Sequence, residues 1–194
     1  MRTVAIGALL GGLCCLTAAA GNQATEQAKQ LHRKSLAQET QIEGYTCAKG
    51  VAWFYADGRL NECGVPRDTY FGVAHIPAGS WINLREDGRP DFVFLKRDTE
   101  IGGVTCSGGN WLLGPSEGAS TVFYPSGKLQ QCWLAGDQSI QGVPCMTSGF
   151  IGMFGDGAQR GGGANFYESG KLKSCTLARD YAGLKRGQRF AQTP

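Results

Sequence analysis

The sequence is poor in the side chains from which catalytic and metal centres are usually built. Its 194 residues include two histidines, His32 and His75, and its cysteines show neither a Cys-x-x-Cys motif nor a spacing that pairs them with histidine. No Ser/His/Asp or Cys/His set can be assembled from these residues. We therefore expect no catalytic residue, no cofactor and no metal ligand.

Charge is scarce as well. Lys, Arg, Asp and Glu make up 18% of the chain, and the formal net charge is +3 without any basic run. Proteins that bind nucleic acid usually carry a concentrated basic patch, so we expect no nucleic-acid partner. Long apolar stretches are missing beyond the N-terminus, so we also expect no transmembrane span after removal of the leader.

Residues 1–20 have the composition of a secretory signal peptide. Arg2 supplies the charge, residues 4–16 form an apolar core, and Ala18, Ala19 and Ala20 are the small residues of a cleavage site. We therefore expect an exported protein, periplasmic or extracellular, whose mature chain begins at Gly21.

The next segment, residues 21–41, is polar and has only a weak helical stripe of alanines and leucines. We interpret it as a tether that is disordered or partly helical. The alternative is a short helix that docks on the first repeat and covers its open sheet edge.

Glycine, in contrast, is abundant, and much of it belongs to a repeated phrase. The clearest copy is residues 123–132, with a turn ending at Gly127 and an aspartate, Asp137, ten residues after that glycine. The same interval recurs in three other copies: residues 54–63 with Gly58 and Asp68, residues 166–175 with Gly170 and Asp180, and a degenerate copy, residues 84–93, with Gly88 and Asp98. Such repetition indicates one structural unit used four times.

Each copy predicts a β-hairpin. A small polar residue before the glycine is typical of a type I turn closed by a left-handed glycine bulge. The facing pairs in this register are Phe54 with Leu60, Phe123 with Leu129, and Phe166 with Leu172. The neighbouring pairs should point to the opposite side: Tyr55 with Arg59, Tyr124 with Lys128, and Tyr167 with Lys171.

A second phrase precedes each hairpin and predicts a short strand. Its copies are residues 42–47, 101–106 and 140–145, a degenerate copy at 70–75, and a partial copy that starts at Tyr181. The units are then about 42–69, 70–100, 101–139 and 140–180, with a partial cap at 181–190, inside a single domain of residues 42–194. The predicted fold class is all-β, with antiparallel hairpin repeats stacked into an elongated sheet or solenoid.

The phrase Phe-Tyr-Pro-Ser-Gly-Lys-Leu at residues 123–129, with its sister copies, resembles the bacterial variant of the MORN repeat. In that family an aromatic pair precedes a turn of the form x-Asn/Asp/Ser-Gly and a basic-Leu step. The likeness covers about residues 42–190, although the units here are longer, contain cysteines and lack the second closely spaced glycine. The resemblance implies stacked antiparallel hairpins that contact proteins or membrane surfaces, without catalysis.

Six cysteines follow the leader, an even number that predicts a disulfide framework in an exported chain. The second unit lacks both of its cysteines, because His75 or Ile76 occupies the first slot and Val93 the second. Bridges within units satisfy all six cysteines, whereas bridges between successive units leave four without a regular partner. The predicted pairs are Cys47 with Cys63, Cys106 with Cys132, and Cys145 with Cys175.

The recurring aspartates, Asp68, Asp98, Asp137 and Asp180, are interpreted as turn formers. Aspartate beside short polar residues commonly accepts hydrogen bonds from the backbone of a turn. A calcium loop would need several oxygen ligands close together, a spacing that the sequence lacks.

Two places could carry a binding site. The first is a column of aromatic and cationic groups on one side of the stack: Tyr55, Arg59, Tyr124, Lys128, Tyr167 and Lys171. It would serve as a docking surface for an acidic partner or a sugar, or else reflect ordinary cross-strand packing. The second is the pair of long insertions after Cys106 and Cys145, with Trp111, Phe150 and Phe154, which would either lie side by side along one edge or cap the core.

These features favour an exported, non-enzymatic binding or scaffold protein whose partner is a protein or glycan of the cell envelope. The alternative is a secreted hydrolase that uses carboxylates in the long insertions, such as Glu117 and Asp156, as acid and base. A pocket with two neighbouring carboxylates would favour the enzyme, and a smooth sheet would favour binding.

Overall fold

The computed structural model describes residues 31–109, 120–147 and 163–194. These residues contain no helix, and so none that could span a membrane; every strand pairing is antiparallel, which confirms the all-β class. In chain order the strands are β1 His32–Leu36, β2 Thr40–Ile42, β3 Tyr45–Cys47, β4 Gly50–Phe54, β5 Leu60–Gly64, β6 Thr69–Phe71, β7 Ala74–Ile76, β8 Trp81–Leu84, β9 Pro90–Phe94, β10 Thr99–Ile101, β11 Val104–Cys106, β12 Thr121–Phe123, β13 Leu129–Cys132, β14 Gln138–Ile140, β15 Val143–Cys145, β16 Ala164–Phe166, β17 Leu172–Thr176 and β18 Arg189–Ala191.

Ten of these strands form one continuous sheet, here called the central sheet, in the order β1-β4-β5-β8-β9-β12-β13-β16-β17-β18. The others form four two-stranded pairs, here called the short hairpins: β2 with β3, β6 with β7, β10 with β11, and β14 with β15. Each repeat therefore consists of a short hairpin followed by two neighbouring strands of the central sheet. Strands β1 and β18 lie at the two edges.

Residues 32–36 form strand β1, and not the helix or disordered tether expected for this segment. The strand pairs along its whole length with β4, from His32 opposite Phe54 to Leu36 opposite Gly50. Its side chains are mostly exposed and mostly polar. The segment therefore lacks the alternation of apolar residues by which a strand is recognised in a sequence. What holds β1 is the row of main-chain N–H and C=O groups that β4 would otherwise leave unpaired at the sheet edge. Strand β2 also begins inside the expected tether, at Thr40.

The hydrophobic core lies between the central sheet and the short hairpins. On the sheet side, neighbouring strands contribute a row of fully buried residues: Ala52, Cys63, Ile82, Val93, Thr121, Cys132 and Ala164. The short hairpins contribute buried side chains that include Phe71, Ile76, Ile101 and Val143. The rings of Phe71 and Phe123 meet edge to face at 5.3 Å, which joins the second short hairpin to the sheet strands of the third unit.

The turns between sheet strands have the geometry that the repeated phrase predicts. The turn glycines Gly58, Gly88, Gly127 and Gly170 have φ values of 89°, 77°, 80° and 86°, and a register shift beside each marks a bulge. In the first copy the Gly58 N–H donates to the Tyr55 carbonyl at 2.9 Å, and the same bond recurs in the other copies. The predicted facing pairs are confirmed: Phe54 with Leu60, Phe123 with Leu129, and Phe166 with Leu172.

The recurring aspartates close the base of the last three short hairpins and of the turn at residues 181–184. The Asp68 carboxylate accepts the backbone N–H of Ala78 at 2.9 Å, and Asp98 accepts that of Gly108 at 2.8 Å. The same bond joins Asp137 to Thr147 at 2.7 Å, and Asp180 to Arg186 at 3.0 Å. The interpretation of these residues as turn formers is confirmed, because each carboxylate accepts a main-chain N–H near its turn.

Three disulfides connect the two layers, and they are the predicted ones. The pairs are Cys47–Cys63, Cys106–Cys132 and Cys145–Cys175, with Cα–Cα distances of 5.6, 5.6 and 5.7 Å. In the second unit, Ile76 and Val93 occupy the corresponding positions and are fully buried, while His75 is exposed, so apolar packing replaces the bridge. Three disulfides suggest an oxidising environment, extracellular or periplasmic.

Candidate functional site: the outer face of the central sheet

The tyrosines of the predicted column join neighbouring repeats. Their hydroxyl groups donate to main-chain carbonyls further along the chain: Tyr55 to Leu84 at 2.6 Å, Tyr124 to Phe166 at 2.8 Å, and Tyr167 to Gln192 at 2.7 Å. The second unit has Arg85 in the tyrosine position, and its guanidinium donates to the Phe123 carbonyl at 3.0 Å. The tyrosine hydroxyl groups and the Arg85 guanidinium are thus hydrogen-bonded within the protein. Burial also raises the pKa of the Tyr55 phenol.

The cations of the column lie at the hairpin turns. The Asp57 carboxylate accepts the Arg59 backbone N–H at 3.1 Å and the Arg59 Nε–H at 2.7 Å. These backbone and side-chain hydrogen bonds lower the pKa of the exposed Asp57 carboxyl. Lys128 and Lys171 occupy the equivalent positions in later units, and both are exposed. The column therefore offers exposed cations, but its tyrosines are half-buried.

The insertion residues Trp111, Phe150 and Phe154, like Glu117 and Asp156, lie outside the described residues. Their flanks nevertheless show where the insertions rejoin the sheet. Ser120 leads into β12 and Gly163 into β16, and both strands run antiparallel to β13, which lies between them. Both insertions therefore return to the central sheet at the same end of nearby strands.

The outer face of the central sheet, which points away from the short hairpins, is rich in aromatic residues. Strand alternation directs Trp53, Trp81, Phe92 and Phe94 to this side, and all are half-buried. Trp133 stands between two buried residues just beyond β13 and points the same way. The chain has four tryptophans, and the three within the described residues share this face.

Cross-strand pairing arranges the outer face in two adjacent rows. The central row runs through Trp53, Glu62, Asn83, Phe92, Val122, Gln131 and Asn165. The flanking row contains Val51, Gly64, Trp81 and Phe94, and Trp133 continues it beyond β13. We call the part of these two rows between β4 and β13 the aromatic face.

The Trp81 ring lies over Gly64 on the neighbouring strand. The two residues are cross-strand partners, and a Cβ atom at Gly64 would lie 3.5 Å from the nearest indole carbon. Phe92 and Phe94 pack edge to face, with ring centroids 5.3 Å apart. The aromatic rings are thus held in place by their neighbours on the same face.

Glu62 stands in the central row between its cross-strand neighbours Trp53 and Asn83. Burial raises the pKa of its carboxyl, because desolvation disfavours the charged form. The Asn83 side-chain amide donates a long hydrogen bond of 3.4 Å to Glu62 Oε2, which partly offsets that rise. The face therefore holds a polar group with free acceptor capacity beside an indole ring.

The aromatic face has the parts of a binding surface. Glu62 is the one ionisable residue in its two rows, and no group of His, Cys, Asp and Glu within the described residues could hold a metal ion. Sequence reasoning missed this face and favoured the tyrosines. The signal in the sequence was Trp53, which stands between apolar residues on both sides. A strand buried on both faces has the same pattern, so this signal does not indicate an exposed aromatic face.

A smaller apolar patch lies on the opposite side of the core, on the second short hairpin. Tyr70 and Val73 are 68% and 72% exposed, and the Tyr70 ring packs edge to face on His75 at 5.4 Å. The other short hairpins have glycine at the position of Val73. The patch provides exposed apolar side chains that are distant from the aromatic face.

The described residues define an all-β, disulfide-linked protein built from antiparallel hairpins, with an aromatic face on its central sheet. Comparison of the chain with protein-family models, curated proteins and solved structures found no match. Its class is therefore defined by its strand topology and its disulfides.

Proposed function

We propose that this protein is an exported, non-enzymatic repeat protein that binds a protein or glycan of the cell envelope through the aromatic face. The observation that carries the proposal is the concentration of Trp53, Trp81 and Trp133, with Phe92 and Phe94, on one side of one sheet. Aromatic side chains supply large contact areas and dominate many binding interfaces. A sheet face with no partner usually carries polar residues instead.

Two features support export. Residues 1–20 have the composition of a signal peptide, and three disulfides suit an oxidising compartment. We further propose that the repeats are a variant of the MORN repeat and stack as an elongated sheet or solenoid with a scaffold role. The hydrogen bonds that join Tyr55 and Tyr124 to later repeats support this arrangement. The hydrolase alternative depends on Glu117 and Asp156, and no described residue favours it.

Co-sedimentation with washed envelope material tests the proposal. The purified wild-type protein should sediment with that material, whereas the double variant Trp53→Ser/Trp81→Ser should remain in the supernatant. The matched control is Tyr70→Ser/Val73→Ser, which removes exposed apolar side chains on the other side of the core and should sediment like the wild type. Urea unfolding of all three proteins checks that each is folded.

Sedimentation of a folded tryptophan variant to the wild-type extent would remove the aromatic face from consideration. Failure of the wild-type protein to sediment would contradict envelope binding as a whole. Release of sugars or peptides from the envelope material by the purified protein would contradict the non-enzymatic role.

A further inference from the structure

We infer that the ligand of the aromatic face is an uncharged, β-1,4-linked glycan chain. The inference rests on the proposed function and specifies the ligand of that surface. Three properties of the face lead to it: the spacing of its aromatic rings, the polar groups between them, and the position of the nearby charges.

The rings are spaced for a chain longer than one sugar. Trp53 on β4 and Trp81 on β8 are two strands apart, which is about 10 Å across the strands at the usual strand spacing. They are also offset along the strands, because Trp53 lies in the central row and Trp81 in the flanking row. Trp133 follows at the end of β13, three strands beyond β8. The C–H faces of pyranose rings are apolar and pack on aromatic rings, and β-1,4 linkages keep successive sugars in an extended ribbon. An α-1,4-linked chain coils and would not follow the flanking row from Trp81 through Phe94 to Trp133.

Polar groups suited to hydroxyls lie between these rings. Glu62 and Gln131 are half-buried members of the central row, and the buried Asn83 amide donates to Glu62 from the adjacent position. Amides donate and accept hydrogen bonds and a carboxylate accepts them, so together they match sugar hydroxyl groups, which do both. If the ligand were an apolar protein surface, these polar side chains would be buried without hydrogen-bond partners. That burial would make binding less favourable.

The charges around the face disfavour a polyanionic ligand. Glu62 is the one ionisable residue in the two rows of the aromatic face. Arg33 on the edge strand β1 is the cross-strand neighbour of Trp53, and Arg189 lies on the opposite edge strand, β18. Arg85, near the turns, is already paired with Asp91 at 2.7 Å. A chain bearing phosphate or sulfate would therefore meet one cation at the β1 end of the face, and a carboxylate and aromatic rings along the rest of it.

Titration calorimetry with two uncharged β-1,4-linked hexasaccharides, cellohexaose and chitohexaose, tests the inference. We expect the wild-type protein to bind at least one of them, with little weakening in high salt because no ion pair forms. The α-1,4-linked maltohexaose should not bind. Trp53→Ala and Trp81→Ala should each weaken binding by about tenfold or more. Trp53→Phe, which keeps an aromatic ring, should recover most of the affinity, and Tyr70→Ser should bind like the wild type.

The outcomes separate this inference from the proposed function. If neither hexasaccharide binds, yet sedimentation with envelope material still depends on Trp53 and Trp81, the glycan inference is wrong and the binding role stands. If sedimentation also fails, both are wrong. If the protein instead binds heparin in a salt-sensitive way, and Arg33→Gln abolishes that binding, the ligand is acidic and the inference of an uncharged glycan is wrong.

Discussion

The hydroxyl group of Tyr55 donates a hydrogen bond of 2.6 Å to the main-chain carbonyl of Leu84 in the next repeat. Leu84 directly precedes Arg85, the residue at the tyrosine position of that repeat, and the same relation recurs along the chain. Its other members are Arg85 to Phe123, Tyr124 to Phe166, and Tyr167 to Gln192 near the C-terminus. A side chain beside each turn therefore connects every repeat to the segment that follows it.

Tyr124→Phe should lower the free energy of unfolding by about 1 kcal/mol, because it removes the hydrogen bond to Phe166 and keeps the ring. Urea unfolding measures the change. The control is Tyr70→Phe, whose side chain is 68% exposed and whose change should leave the midpoint unaltered. Equal midpoints for Tyr124→Phe and wild type would show that the bond contributes nothing to stability.

Gly127 and Gly170 occupy the same turn position but have different surroundings. A Cβ atom at Gly127 would lie 2.7 Å from the Cα of Gly72 in the second short hairpin, whereas one at Gly170 would have no atom within 4 Å. Gly170→Ala should cost roughly 1–2 kcal/mol from its left-handed φ alone. Gly127→Ala should cost more, because two backbones must also move apart. Thermal and urea unfolding compare the pair, and equal losses would contradict the backbone contact.

The second unit shows how a repeat can dispense with its disulfide. Cys47→Ala/Cys63→Ala should lose on the order of 3 kcal/mol of unfolding free energy from the missing cross-link, and more from the cavity. Cys47→Ile/Cys63→Val copies Ile76 and Val93, so it should recover part of this loss by burying apolar side chains. Unfolding in urea distinguishes the two. If the Ile/Val variant is no more stable than the Ala variant, the two layers do not pack alike in the first and second units.

Glu62→Gln should make the protein more stable at neutral pH. Because burial raises the pKa of Glu62 in the folded state, the folded protein binds this proton more tightly than the unfolded chain does. The contribution of Glu62 to the free energy of unfolding therefore falls as pH rises from its unfolded pKa through its folded pKa. The variant should lack that fall.

Urea unfolding across the acidic to neutral range measures the Glu62 effect. Glu100→Gln, at an exposed position on the third short hairpin, is the control and should follow the wild-type profile. A Glu62→Gln profile parallel to that of the wild type would mean that the carboxyl is well solvated.

Several features could be predicted because they depend on residues close together in the chain. Gly58 and Gly127 specify their turns, since glycine adopts a positive φ without strain. The type of turn then determines which residues of the two strands face each other. The disulfides followed from one comparison between units: the second lacks both cysteines at once, which favours pairing within a unit. The aspartates were recognised because they recur beside short polar residues at a fixed interval, and their backbone partners lie ten residues away, across a short hairpin.

The aromatic face and the first strand could not be predicted in this way. Trp53 alternates with buried residues, but alternation alone does not show which rings from other strands lie beside it. The polar composition of residues 32–36 is equally suited to a tether, and they become a strand because β4 presents an unpaired edge.

Local residue choice was therefore enough to specify the repeating hairpin, its turns and its cross-links, because neighbouring residues control backbone conformation directly. Contacts between distant segments settled the rest: the partner of β1, the carbonyl of Leu84 reached by Tyr55 from 29 positions away, and the side of the sheet that Trp53 and Trp81 share. These depend on how strands come together in space, and the same local phrase is compatible with more than one such arrangement.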